Sequence, residues 1–151
     1  MWSARWLSRH IFPRWGENID LGTGWEWQAE GATFAGHRLV CVTSEEKAAL
    51  TIYDLDSRRH EALIELPEPP GSRLMAVGDD HIVVFDGKPR LLQLSTGTVA
   101  DRWEDLDGGK GLWQPSVNMQ PPAPPWLARD PGNCRFALGW PDSVVVVSLT
   151  F

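Results

Sequence analysis

The sequence has little of what marks a secreted, membrane or nucleic-acid-binding protein. It contains two cysteines in 151 residues, too few for the disulfide framework of a small secreted domain. No apolar run approaches the roughly 18–20 residues that a membrane-spanning helix needs. Acidic residues outnumber basic ones by 20 to 14, whereas nucleic-acid-binding domains are usually basic. We therefore expect a globular, cytoplasmic protein with no nucleic-acid or membrane partner.

Recognisable catalytic patterns are also missing. No histidine stands at metal-ligand spacing from a cysteine or another histidine, and there is no phosphate-binding glycine loop or Gly-x-Ser-x-Gly turn. Neither cysteine has neighbours that would lower its pKa. Cys41 lies in an apolar run and is expected to pack as a small hydrophobic residue, with a Cys41–Cys134 disulfide as the alternative. The sequence thus predicts no enzyme activity, no cofactor and no metal.

Tryptophan and arginine stand out in the first fifteen residues. Nine tryptophans accompany a single tyrosine in the chain, and the leader 1–15 has three arginines and no acidic residue. Trp2 and Trp6 are four residues apart, and Leu7 and Ile11 continue an apolar side, which favours a short helix over residues 2–12. Pro13 would end it. A helix packed on the domain, a partner-binding or membrane-surface helix and a disordered leader are the open interpretations.

Short strands are expected after residue 20, in a single β domain over 16–151. The segments are four to seven residues long, rich in Val, Ile and Leu, and bounded by Gly, Pro, Asp or Ser. They are 25–30, 38–43, 49–55, 61–66, 73–77, 81–86, 90–94, 98–103, 134–138 and 143–149.

Equivalent leucines recur along these strands. Leu55 and Leu94 are 39 residues apart, and Leu94 and Leu149 are 55 apart. The longer interval contains an insertion, residues 107–131, without which the period is about 40 residues. Repeats are expected at about 25–67, 72–106 and 127–151, the last ending at its third strand.

The repeats resemble the blades of β-propellers of the tryptophan–aspartate and quinoprotein types. The phrases 52–58 and 92–98 resemble a third blade strand with its turn, and 129–137 resembles the entry to a second strand. The resemblance implies an all-β fold of antiparallel four-stranded blades, forming a small or incomplete propeller-like domain beside the N-terminal helix. The repeated Gly-His and Trp-Asp elements are absent. Since closed rings have four to eight blades, three would leave strand edges open for a homodimer or a partner.

The insertion and the acidic residues before it are the predicted partner-binding region. The insertion contains the proline-rich run 120–126, which favours polyproline II, and a loop of this length is usually functional or disordered. A loop packed back on the domain and a partner-contacting loop are both open. Acidic residues here are expected either to be solvated turns or to steer a basic partner. The candidate partner-binding residues are Trp103, Glu104, Asp105, Asp107, Trp113 and Trp126.

Two classes of function remain. The first is a non-catalytic protein-binding module; its acidity and blade-like phrases resemble bacterial immunity proteins, which implies a role in neutralising a toxin. The second is a small hydrolase or lyase on a propeller-like scaffold, with Asp79, Asp80, His81 and Glu104 as candidates. A structural subunit that completes a larger propeller is a further alternative.

Overall fold

The computed structural model describes residues 3–8, 14–20, 31–43, 49–65, 73–109 and 124–151, with only the strand backbone for 3–8, 14–20 and residue 43. These residues form thirteen β-strands and one 3-10 turn. None of them belongs to a helix long and apolar enough to cross a bilayer. The strands are β1 Ser3–Ser8, β2 Arg14–Asp20, β3 Ala32–Ala35, β4 Arg38–Thr43, β5 Ala49–Asp54, β6 Arg59–Glu65, β7 Leu74–Val77, β8 His81–Val84, β9 Arg90–Gln93, β10 Thr98–Arg102, β11 Trp126–Asp130, β12 Arg135–Trp140 and β13 Ser143–Ser148.

Consecutive antiparallel strands form the sheets. The first sheet has the order β3-β4-β5-β6, the second β7-β8-β9-β10 and the third β11-β12-β13, while β1 and β2 pair as a separate two-stranded sheet. The all-β prediction and the antiparallel four-stranded sheets are therefore confirmed. The described residues do not show a closed propeller.

The predicted N-terminal helix is wrong, because residues 3–8 form strand β1, which pairs with β2 from Ser3 opposite Asp20 to Ser8 opposite Arg14. The four-residue spacing of Trp2 and Trp6 fits a strand as well as a helix, since every even spacing returns to the same side of a strand. Tryptophan also favours strands.

Strand β11 also departs from the expected organisation. It occupies Trp126–Asp130, the last part of the predicted insertion, and pairs along its whole length with β12. The single 3-10 turn at Pro131–Asn133 then leads into β12, at the place where the sequence resembles an entry turn. The first strand of the third sheet therefore begins at Trp126, the last residue of the proline-rich run.

The second sheet lies between the first and the third, and its strands β7, β8 and β9 are buried on both faces, whereas β10 is exposed. One apolar cluster joins it to the first sheet through residues such as Ile52 and Leu92. Another joins it to the third sheet through Phe85 and Phe136. The rings of these two residues meet edge to face, with their centroids 4.9 Å apart. The alternation of strand side chains supplies both faces.

A backbone hydrogen bond repeats in all three sheets. In each, the leucine that follows the third strand donates its N–H to the carbonyl of the residue just before the second strand. The three bonds are Leu55 to His37 (2.9 Å), Leu94 to Asp80 (2.7 Å) and Leu149 to Cys134 (2.8 Å). These leucines are the ones that define the sequence period, so equivalent positions can be assigned between sheets.

A β-bulge also repeats in the two four-stranded sheets. Pairing of the third and fourth strands skips Glu61 in the first sheet and Ala100 in the second. Both positions follow the equivalent leucine by six residues. Because a bulge re-aims the extra residue's side chain, Glu61 and Ala100 occupy the same special position.

Candidate functional site

The outer face of the third sheet exposes apolar side chains and is called the open face below. Strand pairing places Trp126 beside Gly139 and Val144, and Ala128 beside Ala137 and Val146, in two rows across the sheet. Trp126, Val144 and Val146 are 44%, 66% and 62% exposed. The open face consists of Trp126, Ala128, Ala137, Val144 and Val146.

Equivalent positions in the other sheets are buried. Val146 corresponds to Ile52 and Leu91, since each lies three residues before its repeat leucine, and these two are 1% and 6% exposed. Val144 corresponds to Leu50, which is 0% exposed. The open face is thus the surface that, in the first two sheets, packs against the next sheet.

Among the described strands, β13 is the outermost of the third sheet and adds an edge to this face. It stands last in the order of the third sheet, and its sequence Ser143–Ser148 is four valines between two serines. An edge strand presents backbone N–H and C=O groups that another strand can pair with. The third sheet therefore offers an apolar surface and a backbone edge side by side.

The acidic segment lies next to the start of β11. Asp105 and Asp107 are exposed, and Glu104 forms an ion pair with Lys88 at 3.3 Å. The segment continues to Gly109, where a Cβ would lie 3.0 Å from Cδ of Pro125. Gly109, two residues after Asp107, therefore lies close to Pro125, which directly precedes Trp126 of the open face.

The three predicted tryptophans are placed differently. Trp126 is on the open face, whereas Trp103 packs edge to face on Phe136 with centroids 5.5 Å apart and joins the cluster between the second and third sheets. Trp113 lies outside the described residues. The structure therefore brings Trp126, and not Trp103, together with an exposed apolar surface.

The candidate hydrolase residues do not converge. Asp79 and Asp80 form the β7–β8 turn, and Leu94 N–H bonds to Asp80 O at that end of the second sheet. Glu104 follows β10 and pairs with Lys88 in the β8–β9 connection, at the opposite end. The four predicted residues are thus divided between the two ends of a sheet.

The end of the second sheet that carries the β7–β8 turn with Asp80 is polar. The end of the first sheet that carries the β3–β4 turn contacts it through Arg38, and each of these two ends is called the turn end of its sheet. Asp80 accepts hydrogen bonds from Ser95 Oγ at 2.6 Å and Gln93 Nε2 at 3.2 Å. The bond from the Ser95 side chain is the main reason that the pKa of Asp80 lies below its usual 3.8. Arg38 reaches across from the first sheet, with Nη1 3.4 Å from Asp80 Oδ1.

Three possible metal ligands meet at the turn end of the first sheet. His37, Asp54 and Glu61 each place a ligand atom within 4.8 Å of the other two. His37 Nε2 is 3.5 Å from Asp54 Oδ2. A backbone hydrogen bond from Ser57, together with the nearby His37, lowers the pKa of Asp54. This group was not found from spacing along the chain; the hairpin register, which pairs Arg38 with Asp54 and then Asp54 with Arg59, is the signal that would have found it.

The prediction that Cys41 packs as a small hydrophobic residue is confirmed. Cys41 is 2% exposed and packs with Leu39 and Tyr53. Its burial raises the thiol pKa from 9.0 to about 12, which leaves it protonated and unreactive at neutral pH. Both cysteines are free thiols, so the alternative disulfide is not formed.

Comparison with protein-family models, with curated proteins and with solved structures found no match. Function must therefore be inferred from the site.

Proposed function

We propose that this protein is a non-catalytic protein-binding module whose binding surface is the open face. Its most specific form is an immunity protein that binds and neutralises a basic bacterial toxin. The observation that supports it is the exposure of Val144 and Val146 at positions whose counterparts are buried between sheets. Exposed apolar patches of about 300–600 Å² on a folded protein are often functional, and this face approaches that size.

The repeat suggests what the partner presents. In the first two sheets the equivalent face packs on another antiparallel sheet. We therefore expect the partner to offer a β-sheet or an extended strand, which can also pair with β13. In the finer interpretation, the three sheets are blades of an incomplete propeller, and the partner occupies the place of the next blade.

The open face alone is too small for a stable complex. Its three strands, of five or six residues each, span about 20 Å by 14 Å, or about 280 Å², against about 800 Å² per partner in a standard interface. The partner must therefore cover neighbouring surface as well. We infer that the exposed Asp105 and Asp107, close in sequence to Gly109 beside Pro125, contribute a negative rim to this surface, which favours a basic partner.

The test is calorimetric titration of the full chain with basic proteins encoded next to its gene. We expect one-to-one binding with a nanomolar dissociation constant. Val146→Arg should weaken it at least about 100-fold, because it would bury an unpaired charge. The control Leu63→Arg changes a residue of similar exposure, 52%, on the first sheet, and should change affinity less than about threefold.

Equal weakening by both variants would contradict the open face as the binding surface. Failure of every neighbouring protein to bind would contradict the toxin-neutralising form. Asp105→Asn and Asp107→Asn together should slow association and reduce its salt dependence, since exposed charges act mainly on the rate of encounter.

A second candidate is a structural subunit that completes a larger propeller or dimer with its own copy. The exposure of Val144 and Val146 at positions that are buried in the other sheets also supports this candidate, because the open face of one chain can cover that of another. Solution mass distinguishes the two: a self-associating chain is a dimer or larger by itself, and Val146→Arg makes it a monomer.

A further inference from the structure

Three side chains of different chemistry meet at the turn end of the first sheet from three separate segments. His37 lies in the β3–β4 turn, Asp54 ends β5, and Glu61 lies on the bulge of β6. We propose that they form a binding site for a transition-metal cation of the Zn²⁺ type. This site is separate from the open face and stands independently of the protein-binding proposal.

The spacing of the ligand atoms fits a tetrahedral cation. Ligands about 2.0–2.1 Å from a tetrahedral metal lie about 3.3 Å from one another. His37 Nε2 and Asp54 Oδ2 are already 3.5 Å apart, and no pair of the three donors exceeds 4.8 Å. Glu61 Oε1, the oxygen not bonded to Arg38 Nε, can turn toward the other two donors and close a difference of this size while Oε2 keeps its bond to Arg38.

Both carboxylates are oriented by a second partner. Asp54 Oδ1 accepts the Ser57 N–H at 2.7 Å, while Oδ2 is the oxygen that faces His37. Glu61 Oε2 accepts from Arg38 Nε at 3.0 Å. Metal-binding carboxylates are commonly held by such outer hydrogen bonds, which fix their direction.

The second sheet supplies an internal comparison. The positions equivalent to His37, Asp54 and Glu61 are Asp80, Gln93 and Ala100. There Gln93 Nε2 donates to Asp80 Oδ2 at 3.2 Å, and alanine occupies the bulge. In the second sheet, two of the three equivalent side chains are hydrogen-bonded to each other and the third is an alanine. The same backbone arrangement therefore forms without the three possible ligands of the first sheet.

The donor set indicates the class of cation. One imidazole nitrogen with two carboxylate oxygens suits Zn²⁺, Co²⁺ and related metals, whereas Ca²⁺ and Mg²⁺ prefer oxygen alone. His37 and Glu61 are exposed and Asp54 is half-buried. Three protein ligands at an accessible position leave a fourth place for water, as in open zinc sites.

The test is titration of the chelator-treated full chain with Co²⁺ and Zn²⁺. We expect one Co²⁺ per chain with the visible absorption of a tetrahedral site, and displacement by Zn²⁺ but not by excess Ca²⁺. His37→Ala should weaken Zn²⁺ binding at least tenfold, and Glu61→Gln should weaken it in the same direction.

The control is His81→Ala, which removes another histidine at the turn end of the second sheet, beside Asp80 and not in the proposed ligand set. It should leave Zn²⁺ affinity within about twofold, and circular dichroism should show that all three variants keep the β-sheet signal. Zn²⁺ binding that survives His37→Ala unchanged, a wild-type chain that binds no Co²⁺, or equal competition by Ca²⁺ would overturn the proposal.

Discussion

The second and third sheets share the same sequence pattern, but equivalent residues are buried in the second sheet and exposed in the third. Leu91 of the second sheet is packed against the third sheet, whereas its counterpart Val146 is 62% exposed. The second sheet is therefore a structural centre with both faces covered. The third sheet has one face that stabilises the fold and another that contributes little to it. The repeat pattern therefore places apolar residues on both faces of each sheet, even where the described residues leave one face exposed.

The largest expected effect lies where the two sheets join. Phe136 is 1% exposed and meets both Phe85 and Trp103 edge to face. Phe136→Ala should lower the free energy of unfolding by about 3–5 kcal/mol, because it leaves a cavity among aromatic rings. Urea denaturation measures the loss. A change below about 1 kcal/mol would mean that the sheets do not depend on this contact.

The comparison is sharpest for the equivalent pair Leu91 and Val146. Leu91→Ala should cost about 2–5 kcal/mol of unfolding free energy, whereas Val146→Ala should change it by no more than about 0.5 kcal/mol in the isolated chain. Denaturation of both variants under identical conditions measures the difference. Similar losses would show that the open face is covered in solution.

The smallest expected effect is at the turn end of the second sheet. Ser95→Ala removes the bond that chiefly lowers the pKa of Asp80, so that pKa should rise toward 3.8. A carboxyl with a lowered pKa stabilises the fold above its unfolded pKa, and this contribution is lost as pH falls through the folded pKa. The variant's stability deficit should therefore be present at neutral pH and disappear in acid below the folded pKa.

Carboxyl NMR titration measures that pKa, and denaturation at neutral and acid pH measures the deficit. Thr98→Ala is the matched control, since Thr98 Oγ1 lies 2.7 Å from Thr96 Oγ1 in the same hairpin, whereas the side-chain bonds that lower the pKa of Asp80 come from Ser95 and Gln93. An unchanged Asp80 pKa in Ser95→Ala would contradict the assignment.

Much of the fold could be predicted because strand residues carry their own signal. Runs such as Arg38–Thr43 and Ala49–Asp54 are rich in branched side chains and end at turn residues, and the structure places strands there. Strands β3 and β11 were missed because Ala32–Ala35 and Trp126–Asp130 are poor in branched side chains. The helix predicted over residues 2–12 was wrong because a four-residue spacing of apolar residues fits both the helical and the strand period.

The candidate sites were predicted less well, because they depend on neighbours across the sheets. Trp126 was predicted to contact a partner; the structure shows that it is exposed, and the contact itself stays a prediction. The exposure of Val144 and Val146 could not be derived from strand alternation, since their counterparts in the repeat have the same apolar character and are buried. Likewise, His37, Asp54 and Glu61 become neighbours only through the pairing of three strands.

The four valines of β13 have a consequence for handling the protein. An edge strand without a charged side chain or a proline is a template on which identical chains can add strands, as in fibrils. If the proposed partner pairs with β13, such growth competes with its binding for the same backbone groups. We then expect chains produced alone to aggregate at concentrations where chains mixed with that partner stay dispersed.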